Sequence, residues 1–346
     1  MEIVGLYTEL HSLLECKGST SIVSRYHPDG SIERDLLCES DQRAESPQAE
    51  EQQDGKTIIT GPLTSTTFED GSFTLRERFM VRPRLIILGG GHISLALAEM
   101  AHFTNFDTIV YDDRPSFANS QRFPTAKAVI CDSFTKLGHH LTFGESDFVV
   151  DVTRGHQHDR ECLEVILQGA EPAYTGMIGS KRRVAIVFEQ LEAEGFDRGR
   201  ISRIYAPIGL RIGAQTPSEI AISIMAQIIE VKRLNQDREG STPWLSCDLE
   251  LIEQVAQKGF SPEAVITVLS TEGSVPTEIG CKLGMTYEGS TAGSVGGGCS
   301  EADAMQIGRE VINNGGWKLH TIDLTDSAED EGMVCGGTMQ VLIEKA

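Results

Sequence analysis

Leu85-Ile86-Ile87-Leu88-Gly89-Gly90-Gly91-His92-Ile93-Ser94 is the stretch on which the fold turns. Four consecutive apolar residues suit a strand buried on both faces, as in a parallel sheet. Three glycines then permit a tight turn, and Leu95, Ala98, Met100 and Ala101 continue with helix-like spacing. The alternation carries on downstream. Residues 106–113, 126–131, 147–153, 173–178 and 201–208 read as further strands, while 160–167 and 184–191 read as helices. Thr216-Pro217-Ser218-Glu219 is a capping box with proline at the first helical position. Ile220, Ile224, Ile228 and Ile229 give the helix that follows an apolar face. This rhythm predicts an α/β fold over 83–236: a Rossmann-like, doubly wound parallel sheet.

The flanks differ. Residues 1–82 form a small N-terminal region in which Leu6, Leu10, Leu13 and Leu14 have helical spacing. Runs at 20–26 and 56–61 are strand-like, and the Glu-, Gln- and Asp-rich stretch 39–54 reads as a solvated loop. No chemistry is legible there. Residues 237–247, with Gly240, Ser241 and Pro243, read as a linker. From 248 to 346 the pattern predicts a separate α/β or α+β domain, with strands at 265–270, 281–287, 319–324 and 338–344 and a helix at 301–313.

Composition narrows the function. A chain of 346 residues that is 40% hydrophobic is long enough for two or three globular domains. Its formal net charge of -21 repels nucleic acid and anionic lipid, but still allows a small anion held in a local glycine nest. No apolar run approaches the roughly 20 residues of a membrane helix, and the first residues lack a signal-peptide pattern. A cytoplasmic location is therefore expected. The eight cysteines include no C-x-x-C pair, so free thiols are expected rather than disulfides or structural zinc.

Two groups of residues carry candidate chemistry. In the first, Gly89 and Gly91 stand where a dinucleotide fingerprint places its glycines, Ser94 replaces the third glycine, and Asp112 ends the second strand where a ribose-binding carboxylate lies. The loop binds a nucleotide-like phosphate, or it is only the tight turn that any doubly wound domain needs. His92, Arg154, His156, His158 and Asp159 follow strand ends on the ligand side of such a sheet, as does Gly179-Ser180-Lys181-Arg182-Arg183. Together they favour an anion site; taken singly, each reads as a helix cap or a solvated turn.

The second group is Gly296-Gly297-Gly298-Cys299-Ser300-Glu301, with Cys335 in Cys335-Gly336-Gly337. Glycines followed by a helix start offer unpaired N–H donors to an anion, and a cysteine there has a lowered thiol pKa. Cys131 and Cys162, in apolar runs, read instead as core residues. The polar turn Thr271-Glu272-Gly273-Ser274-Val275-Pro276 is expected beside both glycine-flanked cysteines.

These motifs, together with Ala206-Pro207-Ile208-Gly209-Leu210 and Gly213-Ala214-Gln215-Thr216-Pro217-Ser218-Glu219, make 83–346 resemble the XdhC/CoxI family, the accessory proteins of molybdenum hydroxylases such as xanthine dehydrogenase. The resemblance implies a Rossmann-like domain plus a C-terminal XdhC/CoxI-type α/β domain, and binding of molybdenum cofactor (molybdopterin). It further implies support of the cofactor's sulfuration, delivery to a xanthine dehydrogenase-type hydroxylase, cooperation with a cysteine desulfurase, and a homodimer. The chain would then be a chaperone without turnover of its own. Cys299, Cys335 and Glu301 take the reactive roles, with Cys299 as metal ligand. Gly89, Gly91, His92, Asp112, His156, His158, Gly296, Gly297 and Gly298 take the cofactor-binding roles. The competing reading is an NAD(P)-dependent oxidoreductase built on Gly89 and Asp112. In this family the cysteine-bearing domain often precedes the Rossmann-like one; here it follows.

Overall fold

The computed structural model describes residues 2–38, 55–234, 246–324 and 337–346. The chain divides into two compact units, one made of Met1–Val81 with Leu245–Ala346 and the other of Arg82–Trp244. The acidic stretch at 39–54 and most of the linker at 237–247 lie outside the described residues.

The N-terminal part is richer than its sequence pattern shows. Helix α1 (Ile3–Lys17) stops at Gly18, which adopts φ 79°. Five strands follow: β1 (Ser19–Tyr26), β2 (Ile32–Cys38), β3 (Gly55–Thr60), β4 (Leu63–Phe68) and β5 (Phe73–Met80). They form one sheet in the order β2-β1-β5-β4-β3, antiparallel throughout.

The second unit runs β6 (Arg84–Leu88), α2 (His92–Phe103), β7 (Asp107–Asp112), β8 (Ala128–Cys131), α3 (Leu137–His140), β9 (Phe148–Asp151), α4 (His156–Gln168), β10 (Tyr174–Met177), α5 (Lys181–Ala193), α6 (Arg198–Ser202) and α7 (Pro217–Leu234). Its sheet is parallel, in the order β10-β9-β6-β7-β8. Because β6 and β9 are neighbours but far apart in sequence, the winding reverses between them, which is the ligand position in folds of this kind. Each sheet face is buried: Ile86, Leu88, Val149 and Met177 pack with α4 and α5 residues such as Leu163 and Val187, and Leu85, Ile87, Phe148 and Val150 pack with Leu97, Ile224 and Ile228. Strong burial on both sides explains the near-continuous apolar strands.

Three expectations need comment. The capping box forms: Glu219 Oε2 accepts from the Gln215 and Thr216 N–H groups at 2.8 and 2.9 Å. The strand read at 201–208 does not. Its first residues belong to α6, and Tyr205 makes only a single parallel bridge to Gly176; Pro207, lacking an N–H, cannot extend a ladder. Cys131 is exposed at the end of the edge strand β8, correcting its reading as a core residue, whereas Cys162 is buried.

The last part adds α8 (Glu250–Lys258), β11 (Ala264–Gly273), β12 (Lys282–Met285), β13 (Thr291–Gly293), α9 (Gly298–Asn314), β14 (Trp317–Asp323) and β15 (Gly337–Lys345). Its sheet, ordered β13-β12-β11-β15-β14, is antiparallel. One apolar cluster joins this part to the N-terminal one: Ile3, Leu6, Leu10, Leu14 and Phe79 pack with Leu251, Ile252, Val255, Val265 and Leu342. A buried ion pair joins them too. Lys282 Nζ lies 2.5 Å from Glu77 Oε1, with side chains 0% and 4% exposed, and donates to Thr267 Oγ1 at 2.7 Å. Burial alone would pull the lysine pKa down; the Glu77 charge overcomes this and raises it, so the ammonium stays charged. Arg34 and Glu344 form a second such pair, 2.5 Å apart.

Removing one partner of a buried pair strands the other's charge. Glu77→Ala is therefore expected to destabilise the first unit by about 3–5 kcal/mol, and Glu77→Ala with Lys282→Met by less. Urea unfolding of both variants checks this; equal losses would show that the charge is not what matters.

Candidate functional site

In the parallel unit the polar loops leave the carboxyl ends of β6, β9 and β10, at one edge of the sheet. Gly89 has φ 105°, and a Cβ there would lie 2.6 Å from the Val152 carbonyl oxygen. At Gly90 a Cβ would lie 2.2 Å from the Phe117 carbonyl oxygen, whereas at Gly91, the residue before α2, it would meet nothing within 4 Å. The three glycines thus differ: two allow close backbone contact and one fronts open space. Ser94, at the third fingerprint position, donates its hydroxyl to the Gly89 carbonyl.

Asp112 is fully engaged. Its carboxylate accepts from the Gly90 N–H at 2.7 Å, from the Arg114 N–H at 3.0 Å, and from Arg114 Nε and Nη2 at 2.8 Å each. Four donors occupy the lone-pair sites of one carboxylate. Burial raises its pKa, and Arg114 and the Gly90 N–H outweigh that, so the net shift is down. A residue in this state holds the glycine loop and offers nothing to a ribose, which removes the support for NAD(P). Arg114 in turn lies 3.7 Å above the Phe117 ring, and Arg122 Nε donates to the Gly90 carbonyl at 3.1 Å. The neighbouring Asp113 pairs with Arg154, which holds its carboxyl down at about 2.

His92 and His156 are exposed first residues of α2 and α4. His158 is half-buried, with Nδ1 3.0 Å from Glu161 Oε2 and its ring 4.9 Å from Phe134. Lys181 and Arg182 are exposed at the start of α5, while Arg183 turns inward. One residue that the sequence reading did not single out lies beneath these loops: Asp151, at the end of β9, is fully buried, as is Asp159, in the first turn of α4. A signal was present, since Asp151 ends a run of apolar strand residues.

In the other unit, Gly296, Gly297 and Gly298 adopt φ 115°, 73° and 61° in succession and lead into α9. Backbone of this hand favours glycine. Among the described residues, a Cβ at Gly297 or Gly298 would meet nothing within 4 Å, and the N-cap, Gly297, has no side chain to cap the helix start. Glu301, in the first turn, folds its carboxylate back over the loop, accepting from Ser294 Oγ at 2.6 Å and the Val295 N–H at 3.0 Å. It therefore fixes the approach to the glycines. The turn at 271–276 does lie beside them: Gly296 packs against Pro276, and a Cβ at Gly337 would fall 2.6 Å from the Glu272 carbonyl oxygen. Cys299 is the second residue of α9; Cys335 lies outside the described residues. Among the described residues no cluster of three or more His, Cys, Asp or Glu is set to hold a metal, and no helix is long and apolar enough to cross a membrane.

The chain thus pairs a Rossmann-like unit with an α+β unit that carries a glycine-led helix start, each with one cluster of polar loops. Residues 85–228 match the XdhC Rossmann domain, and 259–323 match the XdhC and CoxI family. The chain belongs to the XdhC/CoxI family. It is 30% identical over 198 residues to a probable xanthine dehydrogenase subunit from Bacillus subtilis, covering 57% of each chain. It is 27% identical over 163 residues to the molybdenum cofactor insertion chaperone PaoD of Escherichia coli, covering 46% of this chain and 43% of PaoD. Escherichia coli YqeB is 36% identical over 154 residues, 44% of this chain and 28% of YqeB. The matches thus span only about a quarter to three-fifths of these relatives' lengths. A crystal structure described as a xanthine dehydrogenase of Bacillus halodurans is 26% identical, with a TM-score of 0.51 over 68% of this chain and 66% of that one.

The two glycines Gly90 and Gly91 give a paired test. Gly90→Ala must displace the Phe117 backbone and is expected to cost about 1–3 kcal/mol, as overpacking does. Gly91→Ala, facing open space, is expected to change stability by less than about 1 kcal/mol. Thermal melting of the two variants decides; equal costs would show that the contact with Phe117 is not tight.

Proposed function

We propose that this chain is an accessory chaperone for a molybdenum hydroxylase of the xanthine dehydrogenase type, which binds molybdenum cofactor, supports its sulfuration and delivers it. Family membership and the name of PaoD support the class. The observation that carries the reading is the run of three left-handed glycines opening α9 with Cys299 in its first turn. That start fits the cofactor's chemistry. A cradle without side chains faces open space, and the unpaired N–H groups and dipole of a helix start suit a phosphate. A thiol in the first turn suits a thiophilic metal.

In this reading the backbone of Gly297 and Gly298 holds the phosphate and Cys299 offers its sulfur to the metal. Glu301 keeps the loop open, and Cys335 supplies a second thiol. The bound cofactor contributes a molybdenum centre on a dithiolene, whose terminal ligand is the one exchanged. The sulfur comes from a cysteine desulfurase, and the chaperone acts in the cytoplasm as a homodimer, with no reaction of its own to turn over. The exposed His92 and His156, with Gly89 and Gly91, form a second anion-binding edge in the Rossmann-like unit.

Cys299→Ala is expected to lower retention of co-purified molybdopterin by at least roughly tenfold, about 1.4 kcal/mol of binding, with little change in melting temperature. Mass spectrometry of the bound ligand and a melting curve measure the two effects. Cys131→Ala, which removes an exposed thiol from the other unit, serves as control and should retain the cofactor. Full retention by Cys299→Ala, with undiminished activation of an apo-hydroxylase, would overturn the reading.

A further inference from the structure

Asp151, Asp159 and Arg183 form a cluster that none of the roles above uses. Asp151 is the last residue of β9, 0% exposed, and in register with Leu88 of β6 and Met177 of β10. Its Oδ1 accepts from the Thr153 N–H at 3.2 Å, and its Oδ2 is buried with no hydrogen-bond donor among the described residues. Asp159, on α4, is equally buried but well served. Arg183 Nε and Nη2 grip it from α5 at 2.6 Å each, and the Thr153 hydroxyl donates to it. Arg183 Nη2 also reaches the Thr153 carbonyl at 3.2 Å. Among the described residues the buried thiol of Cys162, on α4, also faces Asp151.

Two buried carboxyls thus lie near one cation, which grips Asp159 and reaches Asp151 only through space. A second negative charge there would have neither a counter-ion nor water. The guanidinium fixes the charge on Asp159, so the proton belongs on Asp151, whose unserved oxygen then becomes a donor.

We propose that Asp151 is a neutral carboxylic acid at physiological pH, hydrogen-bonded through its proton to Asp159, and that this shared proton is a positioning device tying the end of β9 to the starts of α4 and α5. It thereby sets the Thr153–Gly155 loop that precedes His156, whichever ligand the edge takes. Burial first, and the Asp159 charge second, push the Asp151 carboxyl well above the usual range. An acid whose pKa is raised by folding stabilises most below its unfolded value, near 4, and loses that contribution as pH climbs towards the folded value. The cluster therefore favours the folded state at low pH and weakens it on the alkaline side.

Infrared spectroscopy of the full chain at neutral pH should show the C=O stretch of a protonated carboxyl, and Asp151→Asn should lack it. The asparagine amide donates to Asp159 at every pH, so that variant's melting temperature should decline less with rising pH than the wild type's. Asp151→Ala also lacks the titrating carboxyl, so its profile should be equally flat, but with no donor for Asp159 it should melt below Asp151→Asn at every pH. Absence of the protonated-carboxyl band from the wild type overturns the proposal, even if no variant folds. So does its survival in Asp151→Asn, or parallel melting profiles for wild type and Asp151→Asn.

Discussion

Lys282 is completely enclosed, and among the described residues the full charge placed to balance it is Glu77, on a strand from the other end of the chain. The chain cannot bury that ammonium without bringing β5 to β12. The pairing reaches further than two strands. A Cβ at Gly293 would fall 2.2 Å from the Lys282 carbonyl oxygen, so the backbone of this lysine also fixes where the glycine loop begins. Ser294, Val295 and Glu301 then carry the chain to Gly296 through hydrogen bonds of their own. The N-terminal strands, which bear no recognisable motif, thus stand two contacts behind the loop with the most distinctive one.

The Rossmann-like unit also builds its loop around a matched charge. Asp112 commits its whole carboxylate to Gly90 and Arg114, and Arg114 spreads over Phe117, whose carbonyl lies against Gly90. The glycine fingerprint is thereby explained without a dinucleotide. Close backbone contacts demand glycine at two positions, and an internal carboxylate occupies the place where a ribose would be recognised.

What the sequence disclosed follows from how local each cause is. The parallel sheet was legible because buried strands are continuously apolar and their helices carry caps such as Thr216–Glu219. The helix start behind Gly296 to Gly298 was legible from the helical run that follows them. The strand expected at 201–208 failed because apolar residues near a helix end and a proline imitate one. Cys131 misled because the end of an edge strand is exposed even when its residues are apolar. The roles of Asp112, Asp151 and Glu77 were illegible, since each depends on a partner that only folding brings near.

The first unit is discontinuous: Met1–Val81 and Leu245–Ala346 are separated in the chain by the whole of the other unit. The order of events on the ribosome follows from this. Glu77 is made long before Lys282, so the N-terminal sheet must wait, with α1 and Phe79 lacking their cover, while Arg82–Trp244 emerges and closes around its own two apolar layers. Domains generally fold as units during synthesis. Here the middle unit is the one free to finish first, and the nascent N-terminal segment is a stretch of apolar surface that needs protection until β11, β12 and β15 arrive.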